Sequence, residues 1–249
     1  MNALVTHKLQ KYLAQLGYGS RRNIEALLAT GQITVNGQTA HLGQRVTGNE
    51  TIYLAGKQII NAPLPKVPEL IAYHKPLGEI CSVSDPQNRP RVFDHLPQLA
   101  QGKWNMVGRL DLNTSGLLLF SDSGTLAHRL MHPSANIERE YIVRIRGQVQ
   151  AKDIQQLLQG ISLEDGFAQF KAIHLLGEKQ HNPSFKVILM EGRNREVRRL
   201  WEALGYQITR LCRIRYGHII LPPSLKPKQY MVIAKSQVKR WLEEIDQPS

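Results

Sequence analysis

The stretch from Trp104 to Asp122, W-N-M-V-G-R-L-D-L-N-T-S-G-L-L-L-F-S-D, restricts the fold more than any other part of the chain. Met106 and Val107 form a short apolar approach, and Leu117-Leu118-Leu119-Phe120 form an apolar run. That run is too short to span a membrane and has the length of a buried strand. Between them lies Asn113-Thr114-Ser115-Gly116, whose Asx, hydroxyl and glycine residues favour a tight turn. Arg109 and Asp111 therefore project from a corner between two buried segments, a rigid place for a carboxylate that must meet a substrate in a fixed pose. Spacing alone leaves the bland reading open, in which Asp111 accepts backbone N–H groups of its own turn and does nothing else.

Charge narrows the partner. Thirty-two Lys and Arg against twenty Asp and Glu leave a net charge of +12 and a pI near 9.9, which points to a polyanion: nucleic acid or an anionic membrane surface. No apolar run reaches spanning length and the first residues lack a signal-peptide pattern, so nucleic acid leads and no membrane is expected. Cys81 and Cys212 are far apart with no C-x-x-C, which argues against a zinc site or disulfide framework and fits a reducing cytoplasm. His128 and His132 stand at i, i+4 in an expected helix, but no third ligand motif accompanies them, and no metal is expected. The chain carries no P-loop, and Gly17-Tyr18-Gly19 follows no strand, so no dinucleotide or other cofactor is expected.

The first sixty or so residues read as a small module. Leu9, Leu13 and Leu16 have helical spacing closed by Gly17; Ser20 caps a second helix over Arg21 to Thr30, with Ile24, Leu27 and Leu28 inward and Gly31 at its end. Ile33 to Thr39 reads as strand, Asn-Gly turn, strand, and Thr51 to Ile60 as a second hairpin. Lys8, Lys11, Arg21 and Arg22 give it a basic rim. Arg21 and Arg22 sit in a first helical turn, where cations oppose the macrodipole, a frustration that a phosphate would relieve. Two solvated arginines are the plainer alternative. Asn61 to Pro68, rich in proline, reads as a semi-rigid connector.

Beyond it, strands are expected at Leu70–Tyr73, Glu138–Arg144, Phe185–Met190, Ile208–Ile214 and Tyr230–Ala234, with paired strands around Asp165-Gly166. Helices are expected at Thr125–Met131, Ala151–Gln159 and Ser236–Ile245. Asn194 is placed as the cap of a further helix running to Leu204. On it Val197, Leu200, Trp201 and Leu204 share one face, while Arg195, Arg198 and Arg199 share the other, with Arg193 just before it. A solvated basic face is common, but this density of arginine exceeds what solubility needs.

Four of these stretches carry resemblances. L-Q-K-Y-L-A-Q-L-G-Y-G-S-R-R-N-I-E-A-L-L-A-T-G-Q-I-T-V-N-G resembles the S4 RNA-binding domain, which implies that the helical face binds structured RNA. G-R-L-D-L-N-T-S-G-L-L-L closely resembles the signature of the RsuA-like family of RNA pseudouridine synthases, in which the Asp is catalytic. E-R-E-Y resembles that family's tyrosine motif, whose ring stacks on the target base, and G-R-N-R-E-V-R-R its basic motif, whose arginine pairs with the catalytic Asp. Residue by residue this makes Asp111 catalytic, Tyr141 the stacking ring and Arg198 the partner of Asp111; Arg109, beside the turn, is placed to hold or replace the flipped base. Lys8, Lys11, Arg21, Arg22, Lys75, Arg193, Arg195 and Arg199 are then expected on RNA; the residues of the H-K-P-L-G segment are otherwise structural, with Lys75 a backbone contact. Arg195-Glu196 stands where many relatives have His-Gln, a variant typical of enzymes acting on large-subunit (23S) ribosomal RNA.

The resemblance implies an α+β chain: an S4-like domain over residues 7–62, a linker over 63–69, and a synthase domain over 70–249 with a mixed, mostly antiparallel sheet and flanking helices. It further implies a cytoplasmic monomer that needs no cofactor and has ribosomal RNA as its partner. Three reactions are open to Asp111: attack at C1′, addition at C6 of uracil, and removal of the 2′ hydrogen. Synthesis on small-subunit RNA and a non-catalytic assembly factor are the rival readings.

Overall fold

The computed structural model describes residues 6–59, 67–177 and 181–246. Residues 63–66 of the expected linker and Ile60 of the second hairpin lie outside them. Contacts divide the chain into a unit of Met1–Pro68 with 98–105 and 122–124, and a second unit holding the remainder.

In the first unit β1 (His7–Lys8) leads into α1 (Leu9–Gln15), followed by α2 (Arg21–Ala29). Both helices end as their glycines require. The Tyr18 N–H reaches the Leu13 carbonyl across Gly17, and the Gln32 N–H reaches the Leu27 carbonyl across Gly31, with both glycines at positive φ. Ser20 Oγ accepts the Asn23 N–H at 3.1 Å, the expected cap. The strands β2 (Ile33–Val35), β3 (Gln38–Thr39), β4 (Arg45–Val46), β5 (Ile52–Leu54) and β6 (Lys57–Gln58) follow. β3-β2-β5-β6 form one sheet and β1 pairs with β4. Asn36 and Gly37 both have positive φ, the conformation a two-residue hairpin needs. Leu9, Leu13, Ile24, Ile33 and Ile52 are fully buried in one apolar core.

The second unit contains β7 (Leu70–Lys75), all but the first residue of β8 (Asn105–Val107), β9 (Ser115–Ser121), all but the first residue of α3 (Gly124–Met131), β10 (Arg139–Arg146), α4 (Ala151–Gln159), β11 (Ile161–Leu163) and β12 (Gly166–Ala168). After them come β13 (Ala172–Leu176), β14 (Ser184–Leu189), α5 (Glu196–Glu202), β15 (Gln207–Tyr216), β16 (Ile219–Ile220), β17 (Tyr230–Val232) and α6 (Lys235–Asp246). Nine described strands form one sheet, ordered β13-β14-β10-β15-β9-β7-β17, with β16 on β15 and β8 on β9. β9 and β15 run parallel, whereas the registered pairings of β7, β10, β13, β14, β16 and β17 are antiparallel. The expected mixed, mostly antiparallel α+β architecture is therefore observed.

Gly116 sits where the parallel pair forms, opposite Arg213. A Cβ there would lie 2.2 Å from the Arg213 carbonyl oxygen, and φ is +106°, so only glycine lets the two backbones meet.

The α5 region departs from expectation. Its cap is Arg195 at φ 50°, not Asn194, and the Glu196 carboxylate accepts the Arg193 N–H at 3.0 Å. The helix is one turn shorter than its periodicity suggests, and Arg198 is buried at 9% exposure instead of sharing a solvent face with Arg195 and Arg199. Trp201, fully buried against Phe170, Phe185 and Tyr206, seats α5 on the sheet. Among the described residues no helix is long and apolar enough to cross a membrane.

Candidate active site

The turn that carries Asp111 is held at almost every backbone group. The Asp111 carbonyl accepts from Thr114 N–H at 3.0 Å and from Lys75 Nζ at 3.1 Å. The Leu112 carbonyl accepts from Gly78 N–H at 2.9 Å, the Asn113 carbonyl from Arg198 Nη2 at 2.7 Å, and the Thr114 carbonyl from Lys75 Nζ at 2.9 Å. Leu110 N–H points at the Cys81 sulfur at 3.4 Å. β7 supplies Lys75, the turn after β7 supplies Gly78, and α5 supplies Arg198, so two elements and a turn clamp one corner.

The carboxylate of Asp111 takes no part in this. It is half-buried and makes no hydrogen bond or ion pair among the described residues. The bland reading, a turn carboxylate capping its own N–H groups, is overturned: Thr114 N–H goes to the Asp111 main chain instead. A fixed backbone with a free, partly exposed carboxylate is the arrangement expected of a group that acts on a substrate.

Lys75 is fully buried and spends its three N–H groups on the carbonyls of Pro76, Asp111 and Thr114. It has no donor left for RNA, which corrects the expectation of a backbone contact. Burial pushes its ammonium pKa down, against the nearby charges of Cys81, Glu79 and Asp111.

Arg198 lies near Asp111 but is not ion-paired with it. Burial lowers its pKa first and Arg195 adds to this, while the Asp111 charge opposes both. Its Nε is buried without a partner, so one donor stays available beside the corner. Arg109 is exposed and unpaired among the described residues. It is close enough that, with Lys75 and Arg213, it opposes the burial that raises the Cys81 thiol pKa.

A single register row crosses the sheet here: Tyr141 on β10 faces Arg213 on β15, which faces Gly116 on β9, which faces Lys75 on β7. Tyr141 is 8% exposed, and its hydroxyl bonds nothing among the described residues. Arg213 was not singled out from the sequence. It is 2% exposed, donates through Nε to the Leu117 carbonyl at 2.7 Å, and has an unpartnered buried Nη2. Its guanidinium lies 5.1 Å from the Tyr216 ring centroid, and that of Arg139 lies 5.0 Å from it. The signal was present: Leu211 and Arg213 alternate in the inward phase of a strand, where an arginine is exceptional.

The other arginines around α5 do not join the site. Arg199 forks onto Asp165 at 2.7 and 2.8 Å, Arg193 bonds Glu191 at 2.6 Å, and Arg195 bonds Glu202 at 3.2 Å. Each of the three is paired with an acid of the chain. On the first unit the rim differs. Lys8, Arg21 and Arg22 are exposed and Lys11 half-buried, with no ion pair to any of them among the described residues. Burial and then Arg21 hold the Lys11 pKa below its usual value. Among the described residues no group of His, Cys, Asp and Glu is assembled to hold a metal.

A parallel-strand junction carrying a clamped Asp, with a basic module ahead of it, is the layout of a family. Residues 69–203 match the RNA pseudouridylate synthase family and residues 8–52 match the S4 domain. The chain belongs to the RNA pseudouridylate synthase family, enzymes that isomerise uridine to pseudouridine within RNA. It is similar to ribosomal large subunit pseudouridine synthase B of Yersinia pestis, with 52% identity over 221 residues, 88% of this chain and 70% of that protein. The Shigella flexneri protein of the same name is 47% identical over 247 residues, covering 98% of this chain and 85% of its own length. Among solved structures, a pseudouridylate synthase crystal structure superposes with a TM-score of 0.62 at 24% identity, over 94% of this chain and 99% of that one, a likeness of fold.

Proposed function

We propose that this chain converts a uridine of large-subunit (23S) ribosomal RNA to pseudouridine, with Asp111 as the catalytic residue. The observation that carries the reading is the free carboxylate of Asp111 on a corner whose carbonyls are bound from β7 and α5. The reaction breaks the N1–C1′ bond, turns the base and joins C5 to C1′; N1 gains a proton and C5 loses one. Nothing is oxidised or reduced. The uridine first leaves its stack, at a cost of a few kcal/mol. In this reading Arg109 holds the displaced base, the Tyr141 ring stacks on the uracil, and Arg198 orients Asp111 through the Asn113 carbonyl and its spare Nε.

Residues 7–62 form the RNA-docking domain in this account, with Lys8, Lys11, Arg21 and Arg22 against phosphates. Residues 63–69 are the linker and 70–249 the catalytic domain of a cytoplasmic monomer. The relatives named for the large subunit, with the Arg195-Glu196 variant, favour that RNA over the small-subunit one. Tritium release from C5-labelled uridine tests this. Release is expected from large-subunit transcripts. Release from small-subunit RNA alone would transfer the reading there, and tight binding without release from either would make the chain an assembly factor.

A further inference from the structure

The conspicuous arginines of α5 are neutralised by acids of the chain, but a quieter set is not. Arg144 and Arg146 on β10 and Arg210 on β15, with His181, Asn182 and Thr209, line a cleft of about 590 Å³ at one end of the sheet. Among the described residues no Asp or Glu lines it. Arg144 and Arg210 make no hydrogen bond or ion pair through their guanidinium groups among the described residues, and Arg146 meets only the neutral Gln207 amide at 3.4 Å.

The backbone builds this grouping. The register of β10 and β15 slips between Arg144 and Ile145: Arg144 faces Arg210 while Ile145 faces Ile208, leaving Thr209 as an extra residue. Such a bulge re-aims side chains. Ile208 and Leu211 both stay buried, and Thr209 and Arg210 both turn outward. Thr209 Oγ1 fixes the bulge by donating to the Arg144 carbonyl at 3.1 Å, and Asn182 Oδ1 accepts the Gly147 N–H at 2.9 Å beside it. Arg144 and Arg210 are direct cross-strand partners, a like-charge pairing that costs stability unless an anion lies between them. Arg144 and Arg146 are on the exposed face of β10, opposite in phase to Tyr141.

We propose that this cleft is a second RNA-docking site, on the catalytic unit, that grips backbone phosphates of the substrate RNA away from the target uridine. The inference rests on the RNA synthase reading above. Phosphates fit because guanidinium groups present paired donors to two oxygens at once, and because the site offers charge without the shaped apolar walls that would select a base. It supplies affinity and orientation, not sequence recognition.

The test compares the full-length wild type with an Arg144→Gln, Arg146→Gln, Arg210→Gln variant. Binding to a 23S ribosomal RNA transcript is measured across a potassium chloride series. The slope of log affinity against log salt is expected to become shallower by about 2 to 3, with affinity about tenfold weaker near physiological salt. A control variant, Lys152→Gln, Lys226→Gln, Lys235→Gln, removes the same charge at exposed positions elsewhere and is expected to keep the wild-type slope. An unaltered slope in the cleft variant, or an equal loss in the control, overturns the proposal. Should the triple variant not fold, Arg144→Gln and Arg210→Gln singly each carry a slope change of about 1. Tritium release by the wild type on the same transcript separates the two ideas. Release with unaltered binding by the cleft variant sinks only the cleft, and no release sinks the underlying synthase reading.

Discussion

Lys75 shows how a charge can be spent on geometry. Its ammonium is fully buried with no carboxylate bonded to it, an expensive placement offset by three carbonyl acceptors. Two of those carbonyls belong to the Asp111 corner. Lys75→Met should therefore separate stability from activity. Relief of the buried charge offsets the orphaned carbonyls, so unfolding free energy changes by about 1–3 kcal/mol, while loss of the clamp lowers turnover about 100-fold. Denaturant melts and single-turnover tritium release check this; wild-type turnover in a folded variant would show that the clamp is dispensable. From the sequence the H-K-P-L-G segment reads as structural, with a contact to RNA at Lys75. Its burial is decided by Asp111 and Thr114, which are distant in the chain, and no local pattern encodes that. Asp111 was legible for the opposite reason: its motif is continuous, and its turn is built from residues that neighbour one another.

Strands and helices carry two further tests. The β9–β15 junction depends on a missing side chain at Gly116. Gly116→Ala places a Cβ 2.2 Å from the Arg213 carbonyl oxygen at a positive φ, and should cost about 3 kcal/mol or more in a thermal melt. A variant that melts with the wild type would mean that the strands separate freely. At the start of α5, burial pushes the Glu196 carboxyl pKa up, helped by Glu191 and opposed by the Arg193 N–H bond and by the Arg193 and Arg139 charges. With the folded value above the unfolded one, the folded state keeps a proton that the unfolded state has lost, so stability falls as pH rises through that window. Glu196→Gln has no such loss. Its melting temperature relative to wild type should rise between about pH 4 and about pH 7; a flat or falling difference would contradict the burial argument. The elements of the first unit were readable because Ser20, Gly17, Gly31 and Asn36-Gly37 act within a turn of themselves. The α5 face was misread because the periodicity of a short helix does not reveal that the 111–114 corner packs on Arg198 from the far side.

Over the full chain, a charge of +12 says that a polyanion is near but not where it lies. The structure sorts the cations by their partners. Arg89, Arg91, Arg193, Arg195, Arg199 and Arg215 are met by acids, whereas among the described residues the rim at Lys8, Lys11, Arg21 and Arg22 and the β10–β15 cleft are not. Counting charges along the sequence cannot make that distinction, since Asp165 answers Arg199 from 34 residues away. The rim prediction has two signs. In Arg21→Glu, Arg22→Glu, carboxylates replace cations at a helix N-terminus, so the protein should gain about 0.3–1 kcal/mol per site. Its affinity for ribosomal RNA should fall and its salt slope become shallower by about 2 or more. Melting and filter binding on one preparation read both; weaker binding with weaker folding would mean structural damage instead.

Asp111→Asn bears most directly on the synthase account. It keeps the clamped main chain and removes only the carboxylate, so the comparison with wild type isolates the chemistry. Tritium release from C5-labelled 23S ribosomal RNA should vanish while RNA affinity stays at the wild-type level. Continued release, or a collapse of binding, would contradict the assignment of Asp111 as the group that acts on the uridine.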